Sequence, residues 1–247
     1  MKLPVIKGTI DRRLLVSFAI DPSVAESLLP EPFRPKIVHD HAVAGICLIR
    51  LRDVRPAGLP AAVGAGSENA AHRIAVEWND AEGHHDGVFI PRRDTSSLLN
   101  RMIGGRLFPG IHHEANFTVD ESDPCYRVGF QSTDGETHAL VSGQATDALH
   151  TGSLFASIDE VSRFFEMGSV GFSATSDPRR LDGLELITRN WEVRPFDVDE
   201  LRSSFFEDTS VFPPGTARFD NALIMNRISH EWRALRPIRT DGARFAA

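Results

Sequence analysis

Cysteine, lysine and tyrosine are scarce in this chain, and long apolar runs are absent. Cys47 and Cys125 are two cysteines in 247 residues, too few for a disulfide framework. Lys2, Lys7 and Lys36 are the three lysines among 27 basic residues, so lysine chemistry is limited to those positions. No apolar stretch reaches the roughly 18–20 residues of a membrane helix. The N-terminus, Met1-Lys2-Leu3-Pro4-Val5-Ile6-Lys7, lacks the apolar core of a secretory signal. The net charge is −7 with no basic cluster, which argues against a nucleic-acid partner. These absences leave a cytoplasmic protein, read as one domain over residues 1–247, that acts on a small molecule or a protein.

What is present is mostly strand signal. Leu14 to Ile20 and Val43 to Leu51 are apolar runs. Ile74, Val76 and Trp78 alternate with Arg73, Ala75 and Glu77, the period-two pattern of a pleated strand. From Ile111 to Val119, Ile111, His113, Ala115, Phe117 and Val119 share one face. His112, Glu114, Asn116 and Thr118 share the other. Tyr126 to Phe130, Ala139 to Ala145, Leu184 to Val193 and Ala217 to Trp232 extend the series, and Arg55 to Gly66 reads as a surface loop.

Helices are expected to be few and short. Asp21-Pro22-Ser23 opens one that Pro30 stops. Ser157-Ile158-Asp159-Glu160 fits a capping box ahead of an apolar stripe, Ile158, Val161, Phe164 and Phe165. Asp197-Val198-Asp199-Glu200 fits another, and Asp94 to Ile103 is a fourth candidate, with Asp94 as its cap. No dinucleotide or phosphate-loop glycine motif is present. The expected class is therefore mainly β with helical decoration.

Candidate chemistry is dispersed. His113 stands on an otherwise apolar face, where a buried imidazole needs a partner or a job. Glu68 lies in Ser67-Glu68-Asn69, just before a strand. Arg92 and Arg93 follow a strand and suit a fork-like clamp on a carboxylate. His39, His41, His84, His85, His112 and Glu114 show no zinc spacing. No serine sits in a nucleophile elbow, and Cys47 reads as a buried, inert thiol.

The order of features resembles the acetoacetate decarboxylase superfamily, and within it a branch of uncharacterised bacterial relatives. It runs from Arg12-Arg13 before a strand, through Leu28-Leu29-Pro30-Glu31-Pro32-Phe33 and Ser67-Glu68-Asn69. It ends with Gly104-Gly105-Arg106-Leu107-Phe108-Pro109-Gly110 ahead of the Ile111 strand. The resemblance spans roughly residues 10 to 235 and implies a cone-shaped antiparallel β-barrel with a small-ligand cavity. In that superfamily a lysine forms a Schiff base with a β-keto acid, helped by an arginine and a glutamate. Arg12 or Arg13 matches the arginine and Glu68 the glutamate. The lysine pair is expected near Phe108-Pro109-Gly110, where this chain has none.

The expected function is therefore a lysine-free enzyme for a small oxo acid or other carbonyl compound, of lyase, isomerase or cyclase type. In this reading Glu68 and His113 are catalytic, Arg12, Arg13, Arg92 and Arg93 bind substrate, and no metal or cofactor is involved. The alternative is a non-catalytic metabolite-binding protein; a His/Glu metal enzyme using His112, Glu114 and a distant His39, His41 or His230 ranks below both. The resemblance also admits a homo-oligomer.

Overall fold

A computed structural model describes residues 5–97 and 110–241. In chain order the main strands are β1 (Ile6–Ile20), β4 (His41–Pro56), β5 (Ala65–Asp80), β6 (Gly83–Thr95), β7 (His113–Ser122), β8 (Cys125–Ser132) and β9 (His138–Ala145). They continue with β10 (Val170–Ala174), β11 (Arg180–Thr188), β12 (Arg194–Ser203) and β13 (Ala217–Ala234). Three two-residue strands complete the set: β2 (Arg34–Pro35), β3 (Ile37–Val38) and β14 (Ile238–Arg239). The helices are α1 (Pro22–Leu28), α2 (Ile158–Met167) and α3 (Ser204–Glu207).

The sheet closes on itself twice. One ring of pairings runs β13-β1-β4-β5-β6-β10-β11 and returns to β13; the other runs β13-β1-β4-β5-β6-β7-β8-β9-β12 and returns to β13. Both rings share the wall β13-β1-β4-β5-β6. β6 is the fork: Val88 to Ile90 pair with β10, whereas Asp94 and Thr95 pair with β7. Both of those junctions are parallel, so the ladder is not antiparallel throughout as expected; the other pairings are.

A wall with structure on both sides must be apolar on both faces. Leu14, Val16, Ile46, Leu48, Ile74 and Val76 join the larger core, which reaches Val128, Phe130 and Val141 inside the nine-strand ring. Leu15, Val43, Cys47 and Ala75, on the opposite face, pack under α2. Ser157 caps α2 by accepting from the Glu160 amide at 3.2 Å, and Glu160 accepts from the Ala156 amide at 2.7 Å. Val161 is fully buried and Phe164 and Phe165 pack beside it, so the amphipathic stripe serves as expected.

Other expectations are corrected. Asp197 to Glu200 lies in β12, paired with β9 through Asp197↔Gln144; neighbouring strands outweigh a local capping pattern. Asp94 is a buried residue of β6 and not a helix cap; Leu98 to Ile103 lie outside the described residues. The expected Arg55–Gly66 loop is shorter, because β4 runs to Pro56 and β5 starts at Ala65. The two cysteines are unpaired.

Gly45 shows how tightly the wall is built. A Cβ there would sit 2.3 Å from the Val16 carbonyl oxygen, on backbone that cannot retreat. Gly45→Ala is expected to cost about 1–3 kcal/mol, the usual penalty of overpacking. That corresponds to a fall in Tm of roughly 3–10 °C for a domain of this size, measurable by calorimetry; an unchanged Tm would contradict the packing.

Candidate functional site

The pleat of the shared wall sorts its arginines. Arg13 on β1, Cys47 on β4, Arg73 on β5 and Arg93 on β6 are brought together through the register Arg13↔Ile49, Cys47↔Ala71 and Ala71↔Arg93. They face the seven-strand ring. There they line a cavity of about 90 Å³ together with Leu184, Leu186 and Trp232. A second lobe of about 50 Å³ shares Arg93 and Trp232 with it and adds Asn69 and His112.

Among the described residues, the charge in this cavity has no carboxylate partner. Arg13 and Arg73 are 8% and 7% exposed. Arg13 donates from Nε to the Cys47 Sγ at 3.1 Å, and Arg93 donates from Nε to the Ser173 Oγ at 3.0 Å. One terminal nitrogen of Arg13 and the Nε of Arg73 have no hydrogen-bond partner. Trp191 and Phe165 lie beneath Arg13 and Arg73 at 5.9 and 5.6 Å. Among the described residues none of the three guanidiniums forms an ion pair. Burial pushes Arg73 and Arg93 down to about 10, which still leaves them charged at neutral pH. His112 is pushed to about 3 by burial and then by the charge of Arg93, so it is neutral at pH 7.

The other face carries the opposite arrangement. Arg12, Arg50 and Glu68 stand side by side across β1, β4 and β5, and Glu121 reaches them from β7. Arg12 donates to Glu68 at 2.6 Å and to Glu121; Arg50 donates to Glu68 and, at 2.6 Å, to Glu121. Two cations and two carboxylates thus alternate in a closed square. The Glu68 carboxylate is held by Arg12 and Arg50 and does not line the arginine cavity.

His113 and Arg92 form a third cluster. Arg92 donates to Asp94, Asp134, Glu136 and Ser132. His113 bonds Asp134 at 2.9 Å and is partly exposed, although Ala115, Phe117 and Val119 on the same strand face pack on the core as expected. Burial opposes ionisation of Asp134, yet the Ser132 hydroxyl, the Glu136 amide and Arg92 hold it well below the carboxylate range. The expected set of His112, Glu114 and a distant histidine does not gather among the described residues. The groups with metal-like spacing are His113-Asp134-Glu136, Glu77-His84-Asp86 and Asp80-Glu82-His85, and Arg92 already occupies the first.

Of the six residues singled out from sequence, the structure therefore brings Arg13 and Arg93 together, joins Arg12 to Glu68, and joins Arg92 to His113. Arg50, Glu121 and Arg73 escaped sequence reasoning. Arg73 carried a signal, the strict alternation of its strand; Arg50 and Glu121 needed the strand register.

Sequence comparison matches residues 8–220 to the DUF2071 family, described as an uncharacterised conserved protein. The chain belongs to that family. No curated protein matches it in sequence. In fold it is similar to acetoacetate decarboxylase from Legionella pneumophila, with a TM-score of 0.62 at 11% identity over 95% of this chain and 88% of that one. It is equally similar to an acetoacetate decarboxylase-like enzyme from Sphingomonas wittichii, with a TM-score of 0.62 at 15% identity over 98% and 94% of the chains. The enduracididine biosynthesis enzyme MppR complexed with pyruvate follows, with a TM-score of 0.60 at 11% identity over 97% and 91%. This DUF2071 chain thus has the acetoacetate decarboxylase-like fold, and the family resemblance read from its sequence holds.

Two outcomes follow for this family member. Glu68→Gln leaves two guanidiniums on one carboxylate and is expected to lower stability by about 3 kcal/mol, as when one partner of a buried pair is removed; urea titration reads it, and an unchanged midpoint would remove the square from the stability account. Burial also holds His72 near 3 and His230 near 4. With His112, three imidazoles are then neutral when folded but protonate near 6.5 when unfolded. The unfolded chain binds more protons between those values, so stability falls as pH drops from 6.5 towards 4, by up to about 1.4 kcal/mol per pH unit for each. His72, whose ring nitrogens have no partner and which packs 4.5 Å from Phe205, is the one to replace. His72→Phe should flatten the urea midpoint against pH by one proton; an unchanged slope would mean that this imidazole is not held neutral.

Proposed function

We propose that the chain is a lysine-free enzyme that binds a small oxo acid or related carboxylate in the arginine-lined cavity and moves a proton beside its carbonyl without a Schiff base. The observation that carries this reading is the trio Arg13 and Arg73, both buried, and Arg93, half-buried, around one cavity with no carboxylate partner among the described residues. A buried cation is costly unless paired. Three of them facing one space favour an anion, and a cavity of this size favours a small one.

The chemistry follows from those donors. A guanidinium fork holds the carboxylate in fixed geometry. A further guanidinium beside the carbonyl oxygen stabilises the enolate that forms when an adjacent proton leaves, and it does so in a site of low dielectric constant. That charge stabilisation stands in for the electron sink that an iminium would provide. His112, neutral at pH 7 and lining the adjoining lobe that shares Arg93 and Trp232, is the proton acceptor of this reading. In this reading Arg13 and Arg93 keep the substrate-binding role expected of them, Glu68 holds Arg12 and Arg50 in place, and Arg92 and His113 serve the Asp134 cluster. The fold similarity to a protein whose structure holds pyruvate supports the substrate class.

The second reading, a non-catalytic binding protein, is favoured by Glu68. The carboxylate best placed in sequence for acid–base work is clamped by two arginines on the other face of the wall.

Thermal melts with pyruvate and longer oxo acids test binding. A ligand at about 100 times its Kd adds about 2.7 kcal/mol, and Arg73→Met or Arg93→Met should abolish the shift. Deuterium exchange into the carbon next to the carbonyl, followed by NMR, tests catalysis. A shift with exchange supports the enzyme, a shift without exchange supports the binding protein, and no shift with any acid overturns both.

A further inference from the structure

We propose that Cys47 is the nucleophile of the arginine-lined cavity: its thiol adds to the carbonyl carbon of a bound oxo acid and anchors it as a reversible hemithioketal. This rests on the oxo-acid reading of that cavity and gives it a covalent step.

A buried cysteine ordinarily fills space as a small hydrophobe, and Leu15 and Ala71 beside Cys47 suit that role. Its other neighbours do not. The Sγ accepts a hydrogen bond from the Arg13 Nε at 3.1 Å, and the sulfur lies within electrostatic reach of Arg73 and Arg93 as well. Independent observations show that the space beside it is made for a ligand. The second Arg13 nitrogen and the Arg73 Nε are unpartnered, both side chains are more than nine-tenths buried, and both line the cavity that Cys47 lines. A nucleophile and unsatisfied cationic donors therefore converge on one small volume.

The step balances without an oxidant or reductant. The sulfur lone pair forms the S–C bond as the carbonyl π bond opens. The π pair goes to oxygen, and the proton released from the thiol ends on that oxygen. Nothing is oxidised, and breaking the S–C bond restores thiol and ketone. Guanidiniums at both sulfur and oxygen stabilise the negative charge that passes between them. The arginines thus give a thiol the covalent role that this chain, with no lysine after Lys36, cannot give to an amine there.

The test uses the full chain carrying Cys125→Ser, which removes the exposed thiol on β8. Iodoacetate and iodoacetamide differ in charge and little in size. If Cys47 is an anion-addressed nucleophile, iodoacetate alkylates it faster than iodoacetamide by several-fold, Arg93→Met reverses the order, and pyruvate protects. Pyruvate labelled with ¹³C at its keto carbon should lose the ketone resonance and gain a tetrahedral one on binding, and should keep the ketone resonance with Cys47→Ala and Cys47→Ser. Equal thermal stabilisation of the parent and both variants, with the ketone resonance retained throughout, would reduce Cys47 to a wall residue while the oxo-acid reading stands. Iodoacetamide outpacing iodoacetate, or no alkylation of Cys47, would also overturn the nucleophile. Pyruvate and longer oxo acids that stabilise none of the proteins would sink the functional reading, and the adduct with it.

Discussion

Successive side chains of β1, β4 and β5 point to opposite sides of one wall, and that wall belongs to both rings of the sheet. The ion-pair square and the arginine cavity both depend on this sharing. Arg12 and Arg13 are covalent neighbours, yet one enters a square of ion pairs and the other an uncompensated cavity. The same pleat sends Glu68 to the first face and Ala71 and Arg73 towards the second. A shift of one residue in the register of β1 would exchange the two environments, so register and function are a single constraint.

The two faces differ in how they handle buried charge. On the Glu68 side, each guanidinium meets two carboxylates and each carboxylate two guanidiniums, which compensates the desolvation of four ions. On the Arg13 side, the guanidiniums are left with a thiol, a hydroxyl and aromatic faces. Structures tolerate such an arrangement where an anion completes it, and functional sites are where groups are held in environments that favour a ligand. Folding energy from the apolar faces of the wall, from Leu14 to Val76 and from Leu15 to Ala75, holds the cationic cavity open.

Much of the fold was legible because strand periodicity is local. Ile74, Val76 and Trp78 alternate in sequence and are buried together; Ser157 and Glu160 mark the start of α2 as a capping pair should. Asp197 to Glu200 misled because its capping pattern is equally local, whereas its strand state comes from pairing with β9, about 50 residues upstream. The candidate site was legible only in pieces. Arg13 and Arg93 could be named as clamps from their type and position, but not set beside Arg73 and Cys47. Arg50 and Glu121 gave no signal, because an ion pair between positions 50 and 121 exists only once β4 and β7 face each other.

By itself the sequence determined the strand-rich class, the short helices, the family resemblance and the absence of any lysine after Lys36. Those follow from local periodicity, capping chemistry and residue identity, which need no partner strand. Only the tertiary structure decided that Glu68 is bound up in ion pairs, that His113 is partly exposed beside Asp134, and that three arginines surround Cys47. The reason is that pairing and face are long-range properties: a carboxylate is a base or a counterion, and an arginine is solvated or poised for a ligand, according to what the folded sheet places opposite it.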